Sequence, residues 1–93
     1  MIRSFRHKGL KRLFERGDAR GVPSQLARKL KNVLTFLSVA TRPEEAAPFP
    51  GLRLHRLKGD MDGMWSVTIS GNRGVVFRFE NGDAYDVDFL DYH

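Results

Sequence analysis

The chain closes on Asp91, Tyr92 and His93: a carboxylate, a phenol and an imidazole placed directly after a segment that alternates like a β-strand. Each of these groups can place or move a proton. If the alternation of Tyr85, Val87 and Phe89 continues, Asp91 and His93 point to one face and Tyr92 to the other. His55 lies in an earlier alternating stretch among basic residues, and the loops that follow carry Lys58 and Arg73. Cleavage of RNA without a metal needs such a set. A base takes the ribose 2′-OH proton, cations stabilise the charge that builds on the phosphate, and an acid protonates the departing 5′ oxygen. Each residue also has a plainer reading. A strand histidine is commonly packing or surface, a lysine beside glycine is an ordinary turn residue, and a terminal Asp-Tyr-His can be a polar strand end.

Two metal chemistries compete. Asp86, Asp88 and Asp91 with His93 would suit Mg²⁺ or Mn²⁺, but regular pairing puts Asp86 and Asp88 on the face opposite Asp91. Zinc held by His55, His93 and a carboxylate lacks any recognised ligand spacing. No G-x-S-x-G elbow and no glycine-rich phosphate loop before a helix occurs. No metal and no cofactor is expected.

These groups need a scaffold, and 93 residues allow one domain, residues 1–93, with one modest core. With no cysteine, neither disulfides nor thiolate zinc can brace it, which fits a reducing cytoplasm. Neither a signal peptide nor a membrane-spanning run is present, so no membrane role is expected. Charge is unevenly spread. Residues 1–42 hold eleven Lys/Arg against Glu15 and Asp18, a balance of +9, whereas residues 43–93 balance to −4. A basic half of that size is an electrostatic footprint for a polyanion, nucleic acid before acidic lipid.

Leu10, Leu13 and Phe14 have helical spacing within residues 8–16, with Gly17 as a stop. Pro23 and Ser24 open a stronger helix whose apolar stripe is Leu26, Leu30, Val33, Leu34 and Leu37. Arg28, Lys29 and Lys31 fall off that stripe. Residues 41–50, with three prolines and two glutamates, form a connector. Afterwards the period becomes two. Leu52 and Leu54 oppose Arg53 and His55, Trp65, Val67 and Ile69 share a face, and so do Val75, Phe77 and Phe79. Turns fall at residues 58–63 and 71–74, and Asn81-Gly82 predicts a type I′ hairpin. With Ile2–Phe5 as a short N-terminal strand, the expected class is α+β: two N-terminal helices packed on one side of a mostly antiparallel sheet.

Several segments, taken in order, resemble the HigB toxins, the plasmid maintenance killer branch of the RelE-like toxin superfamily. They are Ile2-Arg3-Ser4-Phe5 with His7-Lys8-Gly9-Leu10-Lys11, then Pro50-Gly51-Leu52-Arg53-Leu54-His55 running into Leu57-Lys58-Gly59-Asp60. Gly63-Met64-Trp65-Ser66, Gly71-Asn72, Phe77-Arg78-Phe79, Gly82-Asp83-Ala84 and Asp91-Tyr92-His93 follow. The resemblance implies a RelE-like microbial ribonuclease fold and metal-independent cleavage of messenger RNA in the ribosomal A site. Its active set would be His55, Lys58, Asp91, Tyr92 and His93, with His93 and Asp91 handling protons, Lys58 neutralising phosphate, and His55 and Tyr92 orienting the nucleotide. Arg6, Lys8, Lys11, Arg12, Arg16, Arg28, Lys29, Lys31, Arg53, Arg56 and Arg73 would face RNA or the ribosome. The implied partners are a HigA-type helix-turn-helix antitoxin, the ribosome with its messenger RNA, and operator DNA indirectly through the antitoxin.

The chain departs from the family pattern at one place. After Gly71-Asn72 the family usually shows an aromatic or arginine and then an arginine, whereas here Arg73 and Gly74 follow. The missing arginine is expected near the scissile phosphate, so an attenuated toxin is one expectation. Two others stand beside it: a ribosome- or RNA-binding translation inhibitor that does not cut, and an autoregulatory partner held on DNA by its antitoxin.

Overall fold

The structure, a computed structural model, describes residues 1–91. Helix α1 spans Lys8–Arg16 and buries Gly9 and Leu10 and, one turn on, Leu13. Its start is capped by His7, whose Nδ1 accepts the Leu10 N–H at 3.1 Å. Its end is closed by Gly17 in the left-handed region, φ 68°. The loop after α1 crosses back over its first turn, and Gly9 and Gly21 meet there. A Cβ on Gly9 would lie 2.3 Å from the Gly21 carbonyl oxygen, so neither helix nor loop leaves room for a side chain.

Pro23 and Ser24 do not open the second α-helix directly. Ser24–Leu26 form a 3₁₀ turn, and α2 runs from Ala27 to Val39. The expected stripe is otherwise the buried one: Leu30, Val33, Leu34 and Leu37 are fully enclosed, with Leu26 packed against them. The connector holds a further 3₁₀ turn, Pro43–Ala46, where Glu45 accepts the Thr41 N–H at 2.6 Å and buried Ala46 joins the core. These bonds from Thr41, backbone first, hold the Glu45 carboxyl below its ordinary value.

Four strands follow, β1 Leu54–Arg56, β2 Met64–Ser70, β3 Arg73–Glu80 and β4 Asp83–Asp91, in spatial order β1-β2-β3-β4 and all antiparallel. The first is shorter than its alternating sequence suggests; Leu52 is buried but lies outside the ladder. The turn between β1 and β2 contains a 3₁₀ segment, Gly59–Met61. Asn81 and Gly82 have φ of 50° and 80°, the two positive values that a type I′ turn requires. The N-terminal segment runs parallel to β4 through bridges Ile2–Ala84 and Phe5–Val87, rather than as a continuous strand. Val67, Ile69, Val75 and Phe77 join the buried faces of both helices in one core. The class is α+β.

One strand expectation needs correction. Tyr85 does not share a face with Val87 and Phe89. Val76 pairs with Asp88 but Arg78 pairs with Tyr85, so β4 carries one extra residue between them. Asp86 sits at that bulge with φ 55°. The extra residue turns Tyr85 to the side opposite Val87 and Phe89.

Candidate active face and basic surface

Register sorts the strand residues into two sides. Leu54, Val67, Val75 and Phe89 form one cross-strand row, and all four belong to the core or pack against it. The neighbouring row, His55, Ser66, Val76 and Asp88, therefore faces away from the helices. His55 is exposed at its edge, while Ser66 and Val76 in the centre are buried. The next row on this side is Met64, Arg78 and Tyr85. Arg78 lies 4.7 Å over the Tyr85 ring and pairs with Glu80 at 2.7 Å and Asp86 at 3.5 Å. The Glu80 bond, ahead of other influences, holds this guanidinium above its ordinary pKa. Asp86 stays at its bulge because its N–H donates to Ser4 Oγ at 2.8 Å.

Not all the expected proton-handling residues gather here. Lys58 is exposed, past the Arg56 end of β1, at the cap of the following 3₁₀ turn. Asp91 ends β4 at the opposite end of the sheet, beyond the level where Thr68 N–H donates to the Arg53 carbonyl. Two strands separate β1 from β4, a width of roughly 14 Å at ordinary strand spacing. Asp91 shares the side of Phe89 and pairs with Arg73, Oδ2 to Nε 3.4 Å. Gly74, one residue on, is buried and sits on the His55 side between Thr68 and Leu90. Tyr92 and His93 lie outside the described residues. Among the described residues no group of three His, Asp or Glu side chains is placed to share a metal ion.

The helical cations lie on the other side of the sheet. Lys8, Lys11, Arg12 and Arg16 are exposed on α1 and, with Glu15, line a shallow cleft. An adjoining cleft shares Arg12 and adds Asp18 and Arg20, a residue absent from the expected set. Arg20 grips Asp18 through two bonds of 2.9 Å, which hold that carboxyl well below its usual range and neutralise the pair. Arg6, Arg28, Lys31 and Arg53 are exposed. Lys29 is committed elsewhere: its ammonium crosses to the end of β2 and donates to the Ile69 carbonyl at 2.5 Å. Arg56 lies 5.1 Å over Trp65, so its plane is partly used in packing.

Arg78 and Tyr85 also lie on the His55 side and are absent from the expected set. Arg78 was legible from its place between Phe77 and Phe79, which alternation turns away from the core. Tyr85 was not, because the bulge that re-aims it has no local sequence mark.

Two helices on one side of a four-stranded antiparallel sheet, with basic residues exposed on the helices, are consistent with the class of the RelE-like toxins. The chain belongs to the HigB-like toxin family, described as the RelE-like toxin of type II toxin-antitoxin system HigB, whose model matches residues 3–93. A curated relative, Endoribonuclease HigB of Proteus vulgaris, is 45% identical over 93 residues, and the match covers the whole of both chains.

Proposed function

We propose that the protein is an endoribonuclease toxin that cuts messenger RNA in the ribosomal A site, without a metal in the chemical step. The observation that carries this reading is the division of the sheet. Exposed cations of α1 lie on one side, and the His55 face lies on the other. Long-range attraction to ribosomal RNA and orientation of the nucleotide at His55 then use different surfaces and do not compete. The full-length likeness to a protein named as an endoribonuclease supports the cutting step.

In this reading His55 orients the nucleotide on the open face, Lys58 neutralises phosphate, and Asp91, Tyr92 and His93 supply the proton-handling end. Asp91 acts partly through Arg73, whose guanidinium it holds at 3.4 Å. Gly74 stands where a phosphate-directed arginine is expected, which makes the activity attenuated. A HigA-type antitoxin, acidic where it meets α1, silences the toxin and carries it to operator DNA, and the toxin works in the cytoplasm.

The deciding experiment maps messenger 5′ ends after induction and in a purified translation system. New ends within A-site codons, dependent on ribosomes, are expected. Growth arrest with intact messengers would replace this reading by a non-cutting translation inhibitor.

A further inference from the structure

We infer that Arg78 and Tyr85 form a platform on which a base of the messenger stacks, on the side of the sheet that carries His55. The inference rests on the RNA-cutting reading above and adds positioning residues to it.

The first observation is the bulge. A regular β4 would point Tyr85 to the same side as Val87 and Phe89, against the core. The extra residue at Asp86 instead delivers the ring to the His55 side. A positive φ is uncommon for a residue other than glycine, and bulges that re-aim a side chain concentrate beside functional sites. Here Ser4 and Arg78 both hold Asp86 in place.

The second observation is charge. Arg78 alone would suit a phosphate, but Glu80 and Asp86 both bind it, so the cluster carries one net negative charge. Such a guanidinium is a poor phosphate clamp. Its plane, fixed over the Tyr85 ring at 4.7 Å, remains an aromatic-like surface suited to a neutral base.

The third is position. The Met64–Arg78–Tyr85 row lies on the same side of the sheet as the His55 row, two residues along the strands, with Tyr85 on β4 three strand spacings, roughly 14 Å, across from His55 on β1. A base more than one nucleotide along the messenger from His55 would fall on it.

The test uses ribosomes programmed with a messenger carrying 2-aminopurine in the A-site codon, a base whose fluorescence falls on stacking. The His55→Ala protein, read before its slowed cleavage proceeds, should quench that fluorescence. Adding Tyr85→Leu should abolish the quench, and Tyr85→Phe should retain it. In the His55 background, Tyr85→Leu should raise KM roughly tenfold with kcat changed far less, the range of losing one base stack. Arg78→Gln leaves the ring and should show a smaller rise; it carries the test if Tyr85→Leu fails to fold by melting. No quench by the His55→Ala protein, or a quench and KM untouched by both Tyr85→Leu and Arg78→Gln, overturns the platform. Failure of the unsubstituted protein to cut any RNA overturns the endoribonuclease reading instead, and the quench still reports on stacking.

Discussion

Arg73 and Gly74 are consecutive in β3, yet the Arg73 guanidinium pairs with Asp91 on the side of Val75 and Phe89, whereas Gly74 belongs to the side of His55. A strand cannot move one side chain to the other side without a change of register. The Arg73 guanidinium therefore lies on the side of the sheet opposite the one that position 74 faces.

This gives the first prediction. Gly74→Arg should strengthen growth arrest and ribosome-dependent cleavage, by up to two to three orders of magnitude if the new fork meets the phosphate. Arg73→Ala should have the smaller effect. Growth at matched expression, cleavage rates and melting of each variant are the measurements. An unchanged Gly74→Arg beside a dead Arg73→Ala would reverse the assignment.

His55 is exposed on an edge strand. His55→Ala should leave stability within about 0.5 kcal/mol, the usual range for surface changes. Cleavage should fall roughly 10²- to 10⁴-fold if the imidazole takes part in proton transfer, and less if it only orients the nucleotide. Asp91→Asn and removal of His93 should abolish growth arrest in folded protein. Denaturant titration beside the cleavage assay separates the two effects, and full toxicity of a folded chain lacking His93 would deny the terminal residues a role.

Cleavage should persist after chelation of free divalent ions as far as the ribosome itself tolerates it. Rapid cutting of naked RNA that required added Mn²⁺ would point to a metal-dependent nuclease.

Gly9→Ala forces a Cβ to within 2.3 Å of the Gly21 carbonyl, a backbone atom that cannot swing aside. Overpacking of this kind costs about 1–3 kcal/mol. At roughly 4–8 °C per kcal/mol for a domain of this size, thermal melting should show the loss clearly. Gly17→Ala meets no neighbour and suffers only the penalty of its positive φ, so it should be the milder variant.

Asp83 accepts from Arg3 at 3.0 Å, and this bond chiefly holds its carboxyl below the ordinary value. A depressed folded pKa contributes stability above the unfolded carboxylate pKa and loses it as pH falls through the folded value. Asp83→Asn should therefore lower stability at neutral pH, with the difference closing in acid. Urea titrations of both proteins at a series of pH values from neutral to strongly acidic check this, and a constant difference would remove the ion pair from the account.

Much of the molecule was legible residue by residue. Leu10 and Leu13 announce one amphipathic helix, Leu30, Val33, Leu34 and Leu37 the other, and Asn81-Gly82 their hairpin, because helix faces and tight turns are set by neighbours a few positions apart. The order of short motifs from Ile2 to His93 carries the family. What only the tertiary structure decided depends on partners far along the chain. The Asp86 bulge exists against β3 and is held by Ser4, 82 positions away, so alternation alone sends Tyr85 to the wrong side. Lys29 reads as a free surface cation until the fold brings the Ile69 carbonyl to it across 40 positions. Arg73 and Asp91 read as members of one chemical set, but only the β3–β4 register shows that they pair directly. Register is a property of two strands at once, and no single stretch of sequence contains it.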